Sequence, residues 1–211
     1  MPRPRFATAD AALRQNLLDA ARDEFASKPY EAASLNRILL AAGVSKGSFY
    51  YYFDDKTDLA ATLFLELAKP MATIGEFERP SSPAAFWAEM HRISYARLKD
   101  IESMRTEYEC VMRIASAIAT DEALRDRVMP MFAPGRAKMM ELLQAGVDVG
   151  ALRSDLPMPA LMQLLQDVKM SLFKSLYPAD HVLSEAELRS FTDLVIDLAK
   201  RISASPKGGT P

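Results

Sequence analysis

The sequence predicts an all-α protein, and three observations carry that prediction. Nearly every segment places its apolar residues at helical spacing, and no stretch alternates convincingly at the two-residue period of a strand. Thirteen prolines against eight glycines suit well-separated helices better than a glycine-rich β architecture. Helix ends are written as caps, with a serine or aspartate before an apolar run or a glycine after one. At 211 residues, 49% hydrophobic and 26% charged, the chain is long enough to bury a sizeable core as one large or two small domains.

The first helix runs from about Ala9 to Ser27, with Leu13, Leu17, Ala21 and Phe25 on one stripe, and "SKPYEAAS" interrupts it. The second is short, from Ser34 or Leu35 to Ala42, with Leu35, Ile38 and Leu39 inward. Gly43 follows where a left-handed residue ends a helix at little steric cost. Ser45 caps a third helix that reaches about Tyr52. Asp55 opens a fourth at Lys56, with Asp58 well placed in its first turn, and Leu59, Leu63 and Leu67 follow up to Pro70. "GEFERPSSP", Gly75–Pro83, reads as a linker. Beyond it come helices at about Ala84–Asp100 and Ser103–Ala119. A long helix then runs from its Asp121 cap to Val149, bent near Pro130 and Pro134 and closed by Gly150. The last two span about Pro159–Leu176 and Glu185–Ser203, the latter opened by a Ser184–Glu187 capping box. About nine helices result, divided into a flexible arm (1–8), a three-helix unit (9–56), a helical region (57–203) and a disordered tail (204–211).

Five consecutive aromatics, Phe49 to Phe53, lie on the third helix. Successive helix residues project about 100° apart, so five in a row point all the way round, and a core buries only one stripe. Phe49 and Phe53, four apart, share the inward face, leaving Tyr50, Tyr51 and Tyr52 at least partly outward with hydroxyls able to bond phosphate or base edges. The second and third helices, about eight residues each, are too short to be stable alone and must be held against the first. Two short helices joined by a glycine turn, the second starting at a serine, form the helix-turn-helix layout, whose second helix enters the DNA major groove. Gly47 then removes a side chain where backbone approaches the duplex. Lys46 and Lys56 place cations at both ends, and Lys46 and Tyr51 are the candidates for reading sequence.

Through "LLDAARDEFA", "PYEAASLNRI", "AAGVSKGSFYYYF" and "DKTDL", about Leu13–Leu63, the chain resembles the tetracycline-repressor-type (TetR) regulators. The resemblance implies a DNA-binding homodimer on a palindromic operator, mostly repressing, with an all-helical C-terminal domain that binds a ligand and dimerises. By that resemblance Tyr50 and Lys56 look like phosphate contacts, and Lys46, Gly47, Ser48 and Tyr51 like groove-facing positions. Ser45, Tyr52 and Arg37 complete the expected DNA face. The chain departs from the family's pattern at Pro29, where Gly is common, and at Ala33, where Thr is common; Ser34 takes over the capping and phosphate role. Beyond about Ala68 nothing matches by motif. Arg3 and Arg5 in "PRPR" are open to two readings, a minor-groove arm or a solvated terminus.

In the C-terminal half, Leu161, Leu165, Val168 and Leu172 on one helix, and Leu188, Phe191, Val195, Leu198 and Ile202 on the last, form heptad-like seams suited to a two-fold four-helix dimer interface. Trp87, His91, Tyr95, Tyr108, Met112, Met139, Met140 and Phe173 combine adaptable apolar bodies with polar tips and are expected to line a pocket for a small, largely apolar effector. Cys110, the single cysteine, excludes an internal disulfide and fits a reducing cytoplasm; an inert buried thiol is the expectation over a redox sensor.

Charge decides little: the net is −2, and residues 1–56 carry eight basic against seven acidic side chains. No apolar run approaches membrane-spanning length, and no h-region follows the basic N-terminus. Two histidines, no Cys/His cluster and no phosphate-binding glycine loop argue against an enzyme, a metal site or a cofactor. The competing reading is a helical protein-interaction module that uses the Tyr50–Tyr52 surface without specific DNA binding; steep salt dependence separates the two.

Overall fold

The computed structural model describes residues 3–176 and 181–203, within which every regular element is helical. In chain order these are α1 (Pro4–Ala7), α2 (Ala11–Ser27), α3 (Leu35–Ala42), α4 (Lys46–Tyr52), α5 (Lys56–Ala68), α6 (Pro83–Ser103), α7 (Arg105–Ala117), α8 (Glu122–Val128), α9 (Ala133–Asp148), α10 (Met158–Leu176) and α11 (Glu185–Ser203). Single 3₁₀ turns lie at Tyr30–Ala32, Lys69–Met71 and Met129–Phe132. The expected tail at 204–211 falls outside the described residues.

Local chemistry sets most ends. Asp10, Ser34, Ser45, Asp55 and Asp121 each accept a backbone N–H of the helix they open. Gly43 closes α3 at φ +67°, where a Cβ would be strained. The expected continuous helix from Asp121 to Val149 is instead α8, a 3₁₀ turn and α9. Pro130 sits in the turn and Pro134 at the start of α9, where their missing N–H groups are tolerated.

The chain divides into two compact units, residues 1–73 with 104–134, and residues 74–103 with 135–211. This differs from the expected division at residue 56. Helix α2 packs on α3 and α7, and α5 packs on α7 and α8, so the helix-turn-helix shares one core with three later helices. Phe25, Phe49, Phe53, Phe64, Ile38, Leu59, Ile114 and Leu124 are sealed in that core. Two helices of seven and eight residues need such support. A charged contact crosses the same unit: Arg127 Nη1 of α8 lies 2.8 Å from Oδ1 of Asp58, which is fully buried in α5.

In the second unit α6 packs along α11. One cluster gathers Phe86, Ile93, Leu142, Leu143, Leu152 and Leu161. Gly146 there is required by close approach, since a Cβ would stand 2.5 Å from the Phe86 ring. Another cluster holds Leu98, Leu183, Leu188 and Phe191, with Tyr95, Leu172, Phe173 and Val195 against it. These placements correct the seam reading. Leu161, Leu188 and Phe191 are buried within the unit, and Leu172 and Val195 pack on the same core, so none is a freely presented dimer contact. Leu165 also packs internally, while Val168, Leu198 and Ile202 are half-buried. The large apolar side chains left outward on these two helices are Leu164 and Leu176 on α10 and Leu194 on α11, 41%, 49% and 39% exposed.

Candidate nucleic-acid interface

Helix α4 has one inward and one outward side, and the aromatic run is shared between them. Ser45 Oγ accepts the Ser48 N–H at 3.1 Å and starts the helix. Phe49 and Phe53 stack with ring centroids 5.3 Å apart inside the core. Lys46 and Gly47 are exposed, Ser48 is half-buried, and Tyr50 and Tyr51 keep about half of their surface, 49% and 51%. Tyr52 is half-buried, edge-on to Phe6 at 5.8 Å. Gly47 is helical, and a Cβ built there meets nothing closer than Ser45 Oγ at 3.9 Å. Nothing within the chain demands glycine at this position.

The flanking residues are braced internally. Ser34 caps α3 through the Arg37 N–H, and its own N–H donates to Glu24 at 2.8 Å. Arg37 grips the same carboxylate through Nε and Nη2, at 3.0 and 2.6 Å. These Arg37 bonds, with the Ser34 amide helping against burial, hold Glu24 down at about 2. Much of the Arg37 charge is therefore answered inside the chain. Lys56 behaves similarly: Nζ donates to Tyr30 O and Ala33 O at 2.8 and 3.1 Å and lies 4.5 Å from the Tyr30 ring. Burial lowers its pKa. Two of its three donors are thus spent on positioning the turn before α3. The Tyr30 hydroxyl, pushed up by burial, bonds Thr57 at 2.9 Å and donates to Asp121 at 3.4 Å.

The expected free arm is different. Residues 4–7 form a helical turn that packs on α4, with Phe6 buried between Tyr52 and Phe53. Neither Tyr30, Glu24 nor Phe6 was singled out from the sequence. Phe6 alone among basic and small residues was the available signal.

Comparison with known proteins decides what this surface belongs to. Residues 17–63 match the family model described as bacterial regulatory proteins, tetR family. The HTH-type transcriptional repressor AcnR of Corynebacterium diphtheriae is 28% identical over 155 residues, 74% of this chain and 76% of that protein. The HTH-type transcriptional regulator AcrR of Shigella flexneri is 40% identical over 65 residues, covering 31% of this chain and 29% of its own length. A TetR-family regulator from Chloroflexus aurantiacus shares the fold at TM-score 0.62 and 23% identity, covering 95% of this chain and 97% of its own. Over residues 17–63 the chain carries a TetR-type DNA-binding segment. With that segment and these relatives, the protein is a DNA-binding transcriptional regulator and not an enzyme. SmeT, described as the repressor of a Stenotrophomonas maltophilia multidrug efflux pump, has the same fold at TM-score 0.63, 17% identity and coverage of 94% and 93%.

The residues expected to line an effector pocket are divided between the two units. Tyr108 and Met112 lie on α7 in the first unit, Met112 exposed. In the second unit Met139 packs on the Phe86 cluster, Tyr95 and Phe173 on the Phe191 cluster, and Met140 is half-buried. Trp87 and His91 do meet, in a groove of about 420 Å³ between α6 and α11 that Asp193, Ile196 and Lys200 complete. There His91 Nε2 is 2.8 Å from Asp193 Oδ1. Cys110 is buried, and burial pushes its thiol up to about 12, which suits packing and not redox chemistry. No described helix is long and apolar enough to cross a membrane.

Proposed function

We propose that the protein is a ligand-responsive repressor that binds a palindromic operator as a homodimer, with α4 as its recognition helix. The observation that carries this is the outward face of α4. Lys46, Gly47, Tyr50 and Tyr51 are exposed while Phe49 and Phe53 anchor the helix behind them. Lys46 and Tyr51 read base edges, with Gly47 and Ser48 facing the groove beside them; Ser45 and Tyr50 bond the DNA backbone; Tyr52 supports the helix end. Ser34 and Arg37 act at the start of α3, and Lys56 contributes its remaining N–H. Repression is favoured because relatives such as AcnR of Corynebacterium diphtheriae are named repressors.

Dimerisation uses the outward flanks of α10 and α11, with Leu164 and Leu194 at the contact. That would set two recognition helices about one DNA turn, ~34 Å, apart. The effector is a small molecule, and Trp87 and His91 in the α6–α11 groove are its first candidate contacts. It acts only if it binds one arrangement of the helices better than the other.

Fluorescence anisotropy with duplexes enriched from a randomised pool tests the central claim. An enriched inverted-repeat sequence, bound over a shuffled duplex at equal salt and weakened by Lys46→Ala, is the expected result. Equal binding to both duplexes, or no enrichment, overturns the operator reading.

A further inference from the structure

We infer that the N-terminal turn Pro4–Ala7 is part of the DNA-binding surface, with Arg5 as a phosphate contact beside the recognition helix. The inference rests on the reading of α4 as the groove helix and adds to it a residue outside the helix-turn-helix.

The turn is fixed in place. Phe6 is buried, edge-on to the Phe53 ring at 4.7 Å and to Tyr52 at 5.8 Å. The Arg3 N–H donates to Tyr52 O at 2.8 Å, and Arg3 Nη2 pairs with Asp54 at 2.6 Å. These contacts fasten α1 to the C-terminal end of α4, where a seven-residue helix has unsatisfied carbonyls. Arg3 and Phe6 are therefore positioning residues for the recognition helix.

Arg5 is presented differently. Its guanidinium carbon lies 4.5 Å from the centroid of Tyr51, a half-exposed ring on the outward face of α4. Stacking uses the flat face of the guanidinium and leaves its in-plane N–H donors available for a phosphate fork. Arg37 is answered by Glu24 and Arg3 by Asp54, but Arg5 has no carboxylate partner among the described residues. The ring also limits the rotamers of a long side chain, so less freedom is lost when it meets DNA. A cation held against a groove-facing tyrosine, with its donors free, matches the phosphate backbone that flanks a recognition helix.

The test is the salt dependence of binding to the enriched duplex by full-length protein, wild type against Arg5→Gln and Arg5→Lys. A lost phosphate contact lowers the slope of log affinity against log salt by about 0.9 for each Arg5 in the complex. Arg5→Gln should show that drop and weaken enriched and shuffled duplexes in the same proportion. Arg5→Lys should keep the slope while binding less tightly. An unchanged slope in Arg5→Gln, with wild-type protein binding normally, overturns this inference alone. Failure of wild-type protein to enrich any duplex overturns the operator reading and this inference with it.

Discussion

Replacing Gly47 by alanine separates what the fold needs from what DNA needs. Glycine in a helix is worse than alanine by about 0.5–1 kcal/mol. At Gly47 the added methyl meets nothing within the chain closer than 3.9 Å. Gly47→Ala should therefore stabilise the first unit by roughly that amount, raising its thermal midpoint by about 2–8 °C. If α4 enters the groove with its N-terminal residues against the duplex, the same methyl has to be accommodated at a close contact. Overpacking of that kind costs about 1–3 kcal/mol, or about 5- to 150-fold in affinity. The assay is thermal unfolding beside anisotropy on the same preparations. Gly146→Ala is the contrasting control, because its Cβ would strike the Phe86 ring at 2.5 Å and should lower stability. A Gly47→Ala protein that is more stable and binds DNA as well as wild type would refute the close-approach reasoning. One that is less stable would show that glycine serves the fold after all.

The other expectations concern the supports of that surface. Glu24 is held down from 4.5 to about 2, so its stabilisation is present above the ordinary carboxylate range and is lost as pH falls toward 2. Glu24→Gln should cost about 1 kcal/mol at neutral pH, modest because Arg37 is half exposed. It should also flatten the acid limb of a urea-melt series, and an unchanged limb would contradict this. Arg127→Met should destabilise by about 1–3 kcal/mol, since it removes a charge beside the buried Asp58. Urea unfolding followed by circular dichroism measures it, and a neutral result would show that Asp58 is satisfied without Arg127. Leu194→Glu should turn a dimer into monomers in analytical ultracentrifugation without lowering the thermal midpoint. Phe191→Ala should instead cost about 3–5 kcal/mol by opening a core cavity. An intact Leu194→Glu dimer would exclude that flank of α11 from the interface.

Most of the helix boundaries and the two-faced character of α4 were legible because they are local. Ser45, Asp55 and Asp121 reach only three residues along the chain to cap their helices, and Gly43 needs only its own φ. The burial of Phe49 and Phe53 follows from a four-residue spacing on a helix with one supported side. Contacts between distant segments were not legible. Glu24 reaches Arg37 across a turn, Lys56 bonds carbonyls 23 and 26 positions earlier, and Tyr30 meets Asp121 at a separation of 91.

The seams on α10 and α11 mark the same limit. A heptad pattern says that a stripe is buried, and says nothing of whether the partner helix belongs to the same chain. Leu188 and Phe191 face their own unit, while Leu164 and Leu194 remain outward. By itself the sequence determined an all-α chain, its main caps and an anchored helix with displayed tyrosines, because periodicity and capping act over single turns. Only the tertiary structure decided which cations are free, since charge neutralisation depends on neighbours that the chain brings together only on folding. Arg37 and Lys56 are largely engaged within the protein, while Arg5 rests against Tyr51 and is exposed.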